Sequence, residues 1–176
     1  QYLGPTEVDV SLDDKGRITG AVAKADGLPV HVGGTEKMSK SKNNGVDPEH
    51  LVVRYGADTV RLFTMFAAPP EQSLEWSDSG VEGGFRFLKR LWKQVAVHVR
   101  EGRPPEGPLP TLNDAQKTMR RQVHETLRKV TDDMGRRFTF NTAIAANMEL
   151  LNALGRFEDQ SPEGRWVRQD ALERVT

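Results

Sequence analysis

The hydrophobic positions change period twice along this 176-residue chain. Val8, Val10 and Leu12 alternate with polar neighbours, and Ile18 and Val22 continue beyond Asp13-Asp14-Lys15-Gly16. Period-two alternation on both sides of a turn tetrapeptide predicts a β-hairpin. Pro29 followed by Val30-His31-Val32 predicts a third short strand. From Gly33-Gly34 to Asn43-Asn44-Gly45 only Met38 and Val46 at its far edge are large and apolar, so this stretch reads as loop.

From Asp47 the period becomes helical. Asp47-Pro48 opens a helix, because the aspartate can accept backbone N–H bonds and proline suits the first turn. Leu51, Val52 and Tyr55 form its apolar face, and Gly56 ends it. A second helix is predicted near Ala57 to Ala67 through Val60, Leu62, Phe63 and Phe66, broken by Ala68-Pro69-Pro70. A long helix from about Ser77 to Arg100 carries the stripe Val81, Phe85, Leu88, Trp92, Val95 and Val99. Gly83-Gly84 inside it marks a close helix contact. Residues 102 to 112 hold four prolines and two glycines, a surface connection. Asn113 caps a helix from about Asp114 to Met134, with Met119, Val123, Leu127, Val130 and Met134 as its stripe. Asn141 caps another through Ile144, Met148, Leu151 and Leu154, ended by Gly155. Ser161-Pro162-Glu163-Gly164 starts a last one.

The predicted fold is α+β and mainly helical: a small β-hairpin region, a lysine-rich loop, two linking helices, then a truncated antiparallel helical bundle. Its expected division is residues 1–34, 35–76 and 77–176. Three antiparallel striped helices cannot all bury their faces against one another. Trp166 to Val175 is expected to cover part of the surplus, and further chain in a longer parent the rest.

Charge changes the picture only through its distribution. Basic and acidic residues balance at 25 each. Residues 82–137 nevertheless carry thirteen lysines and arginines against seven acids, a net +6, which leaves the remainder at −6. A polyanionic partner and an ordinary solvated helical face both fit that middle region. The chain has no cysteine, which excludes disulfides and thiolate metal sites. Its four histidines form no short-spaced pair, so no metal site is predicted. No apolar run approaches the roughly 20 residues that span a bilayer. Gln1-Tyr2-Leu3-Gly4-Pro5 offers no initiating Met and no signal pattern, so the chain reads as a cytosolic piece of something longer.

The chemistry concentrates in Lys37-Met38-Ser39-Lys40-Ser41-Lys42. Three ammonium groups in six residues do not belong in a core without partners. On a glycine-flanked loop they suit a polyphosphate, whose leaving oxygens gain charge in the transition state. The Gly-Lys-Ser/Thr phosphate loop is absent.

The order Lys37-Met38-Ser39-Lys40-Ser41 resembles the signature loop of class I aminoacyl-tRNA synthetases. The resemblance extends through Lys37 to Pro48, Arg54 to Phe66 and Leu74 to Trp92. There, Leu74-Glu75-Trp76 with Gly80-Val81-Glu82-Gly83 is similar to leucyl-tRNA synthetases of the bacterial type. Thr131 to Leu151 resembles the helical domain of the same family. The resemblance implies a leucine–tRNA ligase using leucine, ATP with Mg²⁺ as substrate, and tRNA(Leu), in a cytoplasmic monomer. It makes Lys37 and Lys40 the catalytic cations, and Lys37, Met38, Ser39, Lys40 and Ser41 the ATP-binding loop. Asn43 and Asn44 either position the closed loop or simply form a turn. It implies that the bundle is of the anticodon-binding type and that residues 1–30 end the leucine-specific insertion.

For tRNA the candidates are Arg54, Arg61, Arg86, Arg90, Lys93, Arg120, Arg121, Arg136 and Arg137. Lysines and arginines on a helix contact phosphates without reading sequence, and a solvated face explains them equally. Asp58 reads as a helix cap, Glu75 and Trp76 as a domain junction, and Phe138 and Phe140 as core. No His-Ile-Gly-His-like tetrapeptide, amino-acid pocket or editing domain is present, so the isolated chain is expected not to activate leucine. Two alternatives stay open: an isoleucyl or valyl enzyme, and a non-catalytic RNA-binding helical module.

Overall fold

A computed structural model describes every residue except 1, 15, 16, 35, 103, 105, 106 and 109. The chain is mainly helical with one two-stranded sheet, as the hydrophobic periods predict. It divides into two compact units, residues 1–51 and 52–176.

In the first unit, β1 (Val8–Leu12) and β2 (Ile18–Ala23) pair antiparallel, with Val8 opposite Ala23 and Val10 opposite Ala21. A bulge lies between Ser11 and Leu12. Asp13 closes the turn: its backbone N–H donates to the Arg17 carbonyl at 2.9 Å, and its carboxylate accepts the Arg17 N–H at 2.8 Å. Lys15 and Gly16 of the predicted turn lie outside the described residues. The third strand does not form. A single bridge joins Val22 to Pro29, and the Val30 N–H reaches the Ala21 carbonyl. Pro29 has no N–H with which to extend a ladder. Val10, Leu12, Ile18 and Val22 remain exposed, so the hairpin builds little core of its own.

Helix α1 (Pro48–Tyr55) starts where Asp47 accepts the Glu49 N–H at 2.9 Å. In the second unit, α2 (Ala57–Ala67) packs on α3 (Asp78–Arg100). Phe63 is buried there and meets the edge of Trp76 at 5.2 Å between ring centroids. Tight approach falls at Gly80, where a Cβ would sit 2.8 Å from the Phe63 ring, and not at the predicted Gly83-Gly84. Gly83 faces open space, and a Cβ on Gly84 would make only ordinary contact with Leu62 and Thr59.

The predicted stripe of α3 is also displaced. Val81, Gly84, Phe87 and His98 are the buried positions, whereas Trp92 is 76% exposed and Val99 55%. Phe85, Leu88, Trp92 and Val95 line an open groove of about 530 Å³, with Tyr55 at its edge. The helix is wedged by its neighbours along small residues, which turns the larger stripe partly outward.

The main core lies among α4 (Asp114–Asp132), α5 (Phe140–Arg156) and α6 (Pro162–Val175). Met119, Val123, Leu150, Leu154, Val167 and Leu172 fill it. Asn113 caps α4 as predicted, and Gln116 reciprocates: each side chain accepts the other's backbone N–H at 2.9 Å. Gln116 also donates to Asp159 at 2.7 Å and Ser161 at 3.1 Å, which ties the start of α4 to the start of α6.

After Asp132 the chain makes a π-helical turn, Asp133–Arg137, and then a left-handed residue, Phe138. Met134 is therefore carried outward and is not the end of the α4 stripe. Helix α5 begins at Phe140 with Thr139 in the cap position, so Asn141 sits inside the first turn and does not cap it. The helix also runs one residue past Gly155, to Arg156. Phe138 is 60% exposed, and Phe140 only half-buried, so neither is the core residue expected.

Candidate functional site

The lysine loop is shaped by amides. Lys40–Lys42 forms one 3₁₀ turn, and Asn43 follows in the left-handed region at φ 50°. Asparagine tolerates that conformation better than most residues with a side chain. Its N–H donates to the Lys40 carbonyl at 3.2 Å. Its side chain donates to Glu7 at 2.9 Å, and Glu7 also accepts the Gly4 N–H. Asn44 works across the loop: its oxygen accepts the Ser39 N–H at 2.8 Å, and its nitrogen reaches the Lys37 carbonyl at 3.4 Å. The Ser39 and Ser41 hydroxyls hydrogen-bond each other at 3.2 Å.

The three lysines are not equivalent. Lys42 pairs with Glu36, whose carboxylate raises the Lys42 pKa first by hydrogen bonding and then by charge. Lys37 and Lys40 are exposed and have no acidic partner among the described residues. Met38 and Ser41 are exposed with them, and Ser39 is half-buried. The loop thus presents two unpaired ammonium groups from a backbone held through Asn43 and Asn44, with Glu7 spent on Asn43. Asn43 and Asn44 were singled out from sequence as loop-positioning or turn residues, whereas Glu36 and Glu7 were not.

The predicted basic candidates separate in the same way. Arg54 lies over the Tyr55 ring at 4.9 Å, and Arg61 faces Asp58 at 3.9 Å with both groups exposed. On α3, Arg86 pairs with Glu82 at 3.6 Å and Arg90 donates to Asn152 at 2.9 Å, while Lys93 has no partner among the described residues. Spacings of four and three put Arg86, Arg90 and Lys93 on one helix face. On α4, Arg120 is engaged by Asp170 at 3.9 Å and by the Trp166 ring at 5.7 Å. Arg121 is exposed, and with Lys117 and His124 it lines an open cavity of about 550 Å³.

Arg136 and Arg137 belong to a tighter arrangement. Arg136 donates twice to Asp132, at 2.6 and 3.0 Å. Arg137 donates at 3.1 Å to Asp133, which is fully buried and also accepts from Lys129 at 2.6 Å and Thr142 at 2.7 Å. The Lys129 and Thr142 hydrogen bonds hold the Asp133 pKa at about 2. A buried carboxylate surrounded by donors was invisible in the sequence, where Asp133 looked like one more surface acid. Among the described residues no three His, Asp or Glu side chains gather as a metal site, and no helix is long and apolar enough to cross a membrane.

Comparison with known proteins now adds identity to this geometry. A family model described as tRNA synthetases class I (I, L, M and V) matches residues 25–77, which contain the lysine loop and α1–α2. Leucine–tRNA ligase of Chromohalobacter salexigens is 65% identical over 172 residues, and that of Xanthomonas oryzae pv. oryzae 62% over 172. The chain corresponds to one segment of the leucyl-tRNA synthetases. The match takes in 98% of this chain and 20% of each of those relatives, so the chain spans about a fifth of their length. Among solved structures, the agnB2 LeuRS of Agrobacterium radiobacter K84, in a ternary complex with tRNA and LeuAMS, is similar at a TM-score of 0.67 and 30% identity. That likeness covers 79% of this chain and 18% of the synthetase chain. Synthetases of this class use ATP, the ligand for which the two unpaired lysines are chemically suited.

Proposed function

We propose that this chain supplies the ATP-closing loop and a tRNA-facing helical surface to an enzyme that charges tRNA(Leu) with leucine. In the first step the leucine carboxylate attacks the α-phosphorus of ATP, leucyl-adenylate forms and pyrophosphate leaves. In the second, the terminal ribose hydroxyl of tRNA attacks the leucyl carbonyl and AMP leaves. Lys40 contacts the departing pyrophosphate, with Lys37 beside it. Their charge acts on oxygens that become more negative as the bond to the α-phosphorus breaks, which lowers the barrier more than it tightens ATP binding. Met38, Ser39 and Ser41 shape the loop around the triphosphate. Mg²⁺ arrives with ATP as part of the substrate.

The observation that carries this reading is the unpaired state of Lys37 and Lys40 on a turn whose supporting acid, Glu7, is spent on Asn43 and not on a lysine. A merely solvated loop has no need of the Asn43–Glu7 and Asn44–Ser39 bonds. Arg54, Arg61, Arg86, Arg90, Lys93, Arg120, Arg121, Arg136 and Arg137 form the candidate tRNA surface. Lys93 and Arg121 are the members most available to phosphates, because among the described residues they have no acidic, amide or ring partner, whereas Arg54 lies over Tyr55 and Arg90 donates to Asn152. The domain division proposed is the insertion end at residues 1–34, the loop and linking helices at 35–76, and the helical domain from 77. The enzyme acts as a cytoplasmic monomer, and the 176 residues alone do not activate leucine.

Amino-acid-dependent ATP–pyrophosphate exchange on the whole enzyme, with leucine, isoleucine, valine and methionine compared, tests the assignment. Exchange with leucine alone is expected. Exchange with another of the four overturns the specificity, and exchange with none of them overturns the catalytic reading.

A further inference from the structure

Phe138 is in the wrong place for a phenylalanine. It follows the π-helical turn with φ 54°, a left-handed conformation that its Cβ disfavours and that glycine or asparagine ordinarily fills at a helix end. Its ring is not compensated by burial, since the residue is 60% exposed. The conformation is nevertheless firmly imposed. The Asp133 carbonyl accepts the Thr139 N–H at 3.0 Å and the Phe138 N–H, while the Asp133 side chain holds Lys129, Arg137 and Thr142. A buried network therefore fixes a strained backbone whose product is an outward aromatic ring. Strained backbone and π-helical turns persist where the surroundings over-determine them, and they cluster at functional positions.

The surroundings state what the ring would meet. Between residues 128 and 138 stand Arg128, Lys129, Arg136 and Arg137 against Asp132 and Asp133, a local excess of two positive charges. Arg128 has no acidic partner among the described residues. With Thr131, Asp132, Gly135 and Arg136 it lines an open concavity of about 540 Å³, in which Asp132 holds Arg136 and leaves Arg128 as the free cation. An exposed aromatic ring in a segment with an excess of cations is the combination that holds unpaired nucleotides: the ring stacks on a base and a free cation takes a flanking phosphate. An apolar protein partner would need a wider uncharged rim.

We propose that Phe138 is a stacking platform for one unpaired base of the bound tRNA, with Arg128 on an adjoining phosphate. This rests on tRNA being the partner, as set out above. The test uses the whole enzyme, a leucine-isoacceptor tRNA transcript, and the variants Phe138→Gly and Phe138→Trp. Loss of one stacked base corresponds to about fivefold or more in Kd. Phe138→Gly is expected to weaken tRNA binding by at least that factor, with an unchanged slope of log affinity against log salt, because no phosphate contact is removed. Its melting midpoint is not lowered, since glycine relieves the left-handed strain. Phe138→Trp binds within about twofold of the parent, and leucine-dependent pyrophosphate exchange is unaltered in both, on the same stacking argument.

Wild-type affinity in Phe138→Gly, or a lowered melting midpoint accompanying the weaker binding, overturns the proposal. A changed salt slope does so too. If the unmutated enzyme fails to bind the transcript, the tRNA reading itself fails, and the stacking proposal with it.

Discussion

The lysine loop and the π-helical turn solve one problem in opposite ways. Each gathers three cations in a short space, and each ends on a left-handed residue with a side chain, Asn43 at φ 50° and Phe138 at φ 54°. In the loop the amides of Asn43 and Asn44 hold the backbone, Glu7 anchors Asn43 and no lysine, and Glu36 takes one lysine. In the turn the support is a buried carboxylate, Asp133, which consumes Lys129 and Arg137, while Asp132 takes Arg136. A cation held by its own scaffold is a structural part. A cation that its scaffold leaves unpaired stays available to a ligand. What the scaffold's acids are spent on, more than the number of lysines and arginines, distinguishes a loop with free cations from one that props up a helix junction.

The largest expected effect that would break this contrast lies at Lys40. Lys40→Ala in the whole enzyme should reduce the rate of pyrophosphate exchange about a hundredfold or more, the scale of losing one transition-state donor. Asp133→Asn should act on stability and leave exchange intact. Weakened charged hydrogen bonds to Lys129 and Arg137 suggest about 2 kcal/mol, read by denaturant unfolding. Its sign with pH follows from the depressed pKa. The carboxylate contributes fully above the unfolded value near 3.9, and the contribution is lost as pH falls through about 2. The parent and Asp133→Asn should therefore converge in stability between about pH 4 and pH 2. Asn44→Ala sharpens the loop side: without its bridge from Ser39 to Lys37, the KM for ATP should rise severalfold, by roughly the weight of one or two hydrogen bonds. Smallest is Lys42→Ala. Lys42 is already committed to Glu36 at the surface, where solvent screens such pairs, so exchange should stay within about twofold. A Lys42 effect as large as that at Lys40 would erase the distinction between paired and free lysines.

Much of the fold was legible because its signals are local. Alternation at Val8, Val10 and Leu12 specified the hairpin, and Asn113 specified the start of α4. Proline and serine at 161–162 likewise marked α6. What was not legible depends on neighbours distant in sequence. The stripe of α3 was read from its largest side chains, but packing against α2 selects the face carrying Gly84 and Phe87. Gly80 looked ordinary until Phe63 was placed over it. Asn141 is a good cap residue, but the π-helical turn fixes the entry to α5 one residue before Phe140. The candidate loop was legible as a motif and as a charge cluster. Which of its lysines are free was not, because Glu36 becomes a partner only once the turn has closed. Phe138 misled for a related reason: aromatic residues are buried by default, and only the backbone imposed by Asp133 turns this one outward.

The most direct test pairs two readings on one variant. Leucine-dependent ATP–pyrophosphate exchange and tRNA affinity are measured for the whole enzyme with Lys40 intact and with Lys40→Ala. A hundredfold or greater loss of exchange, with tRNA affinity within about twofold, is the predicted result for a free cation acting on the departing pyrophosphate. Equal loss of both quantities, or exchange that survives the substitution, would contradict the role assigned to the loop.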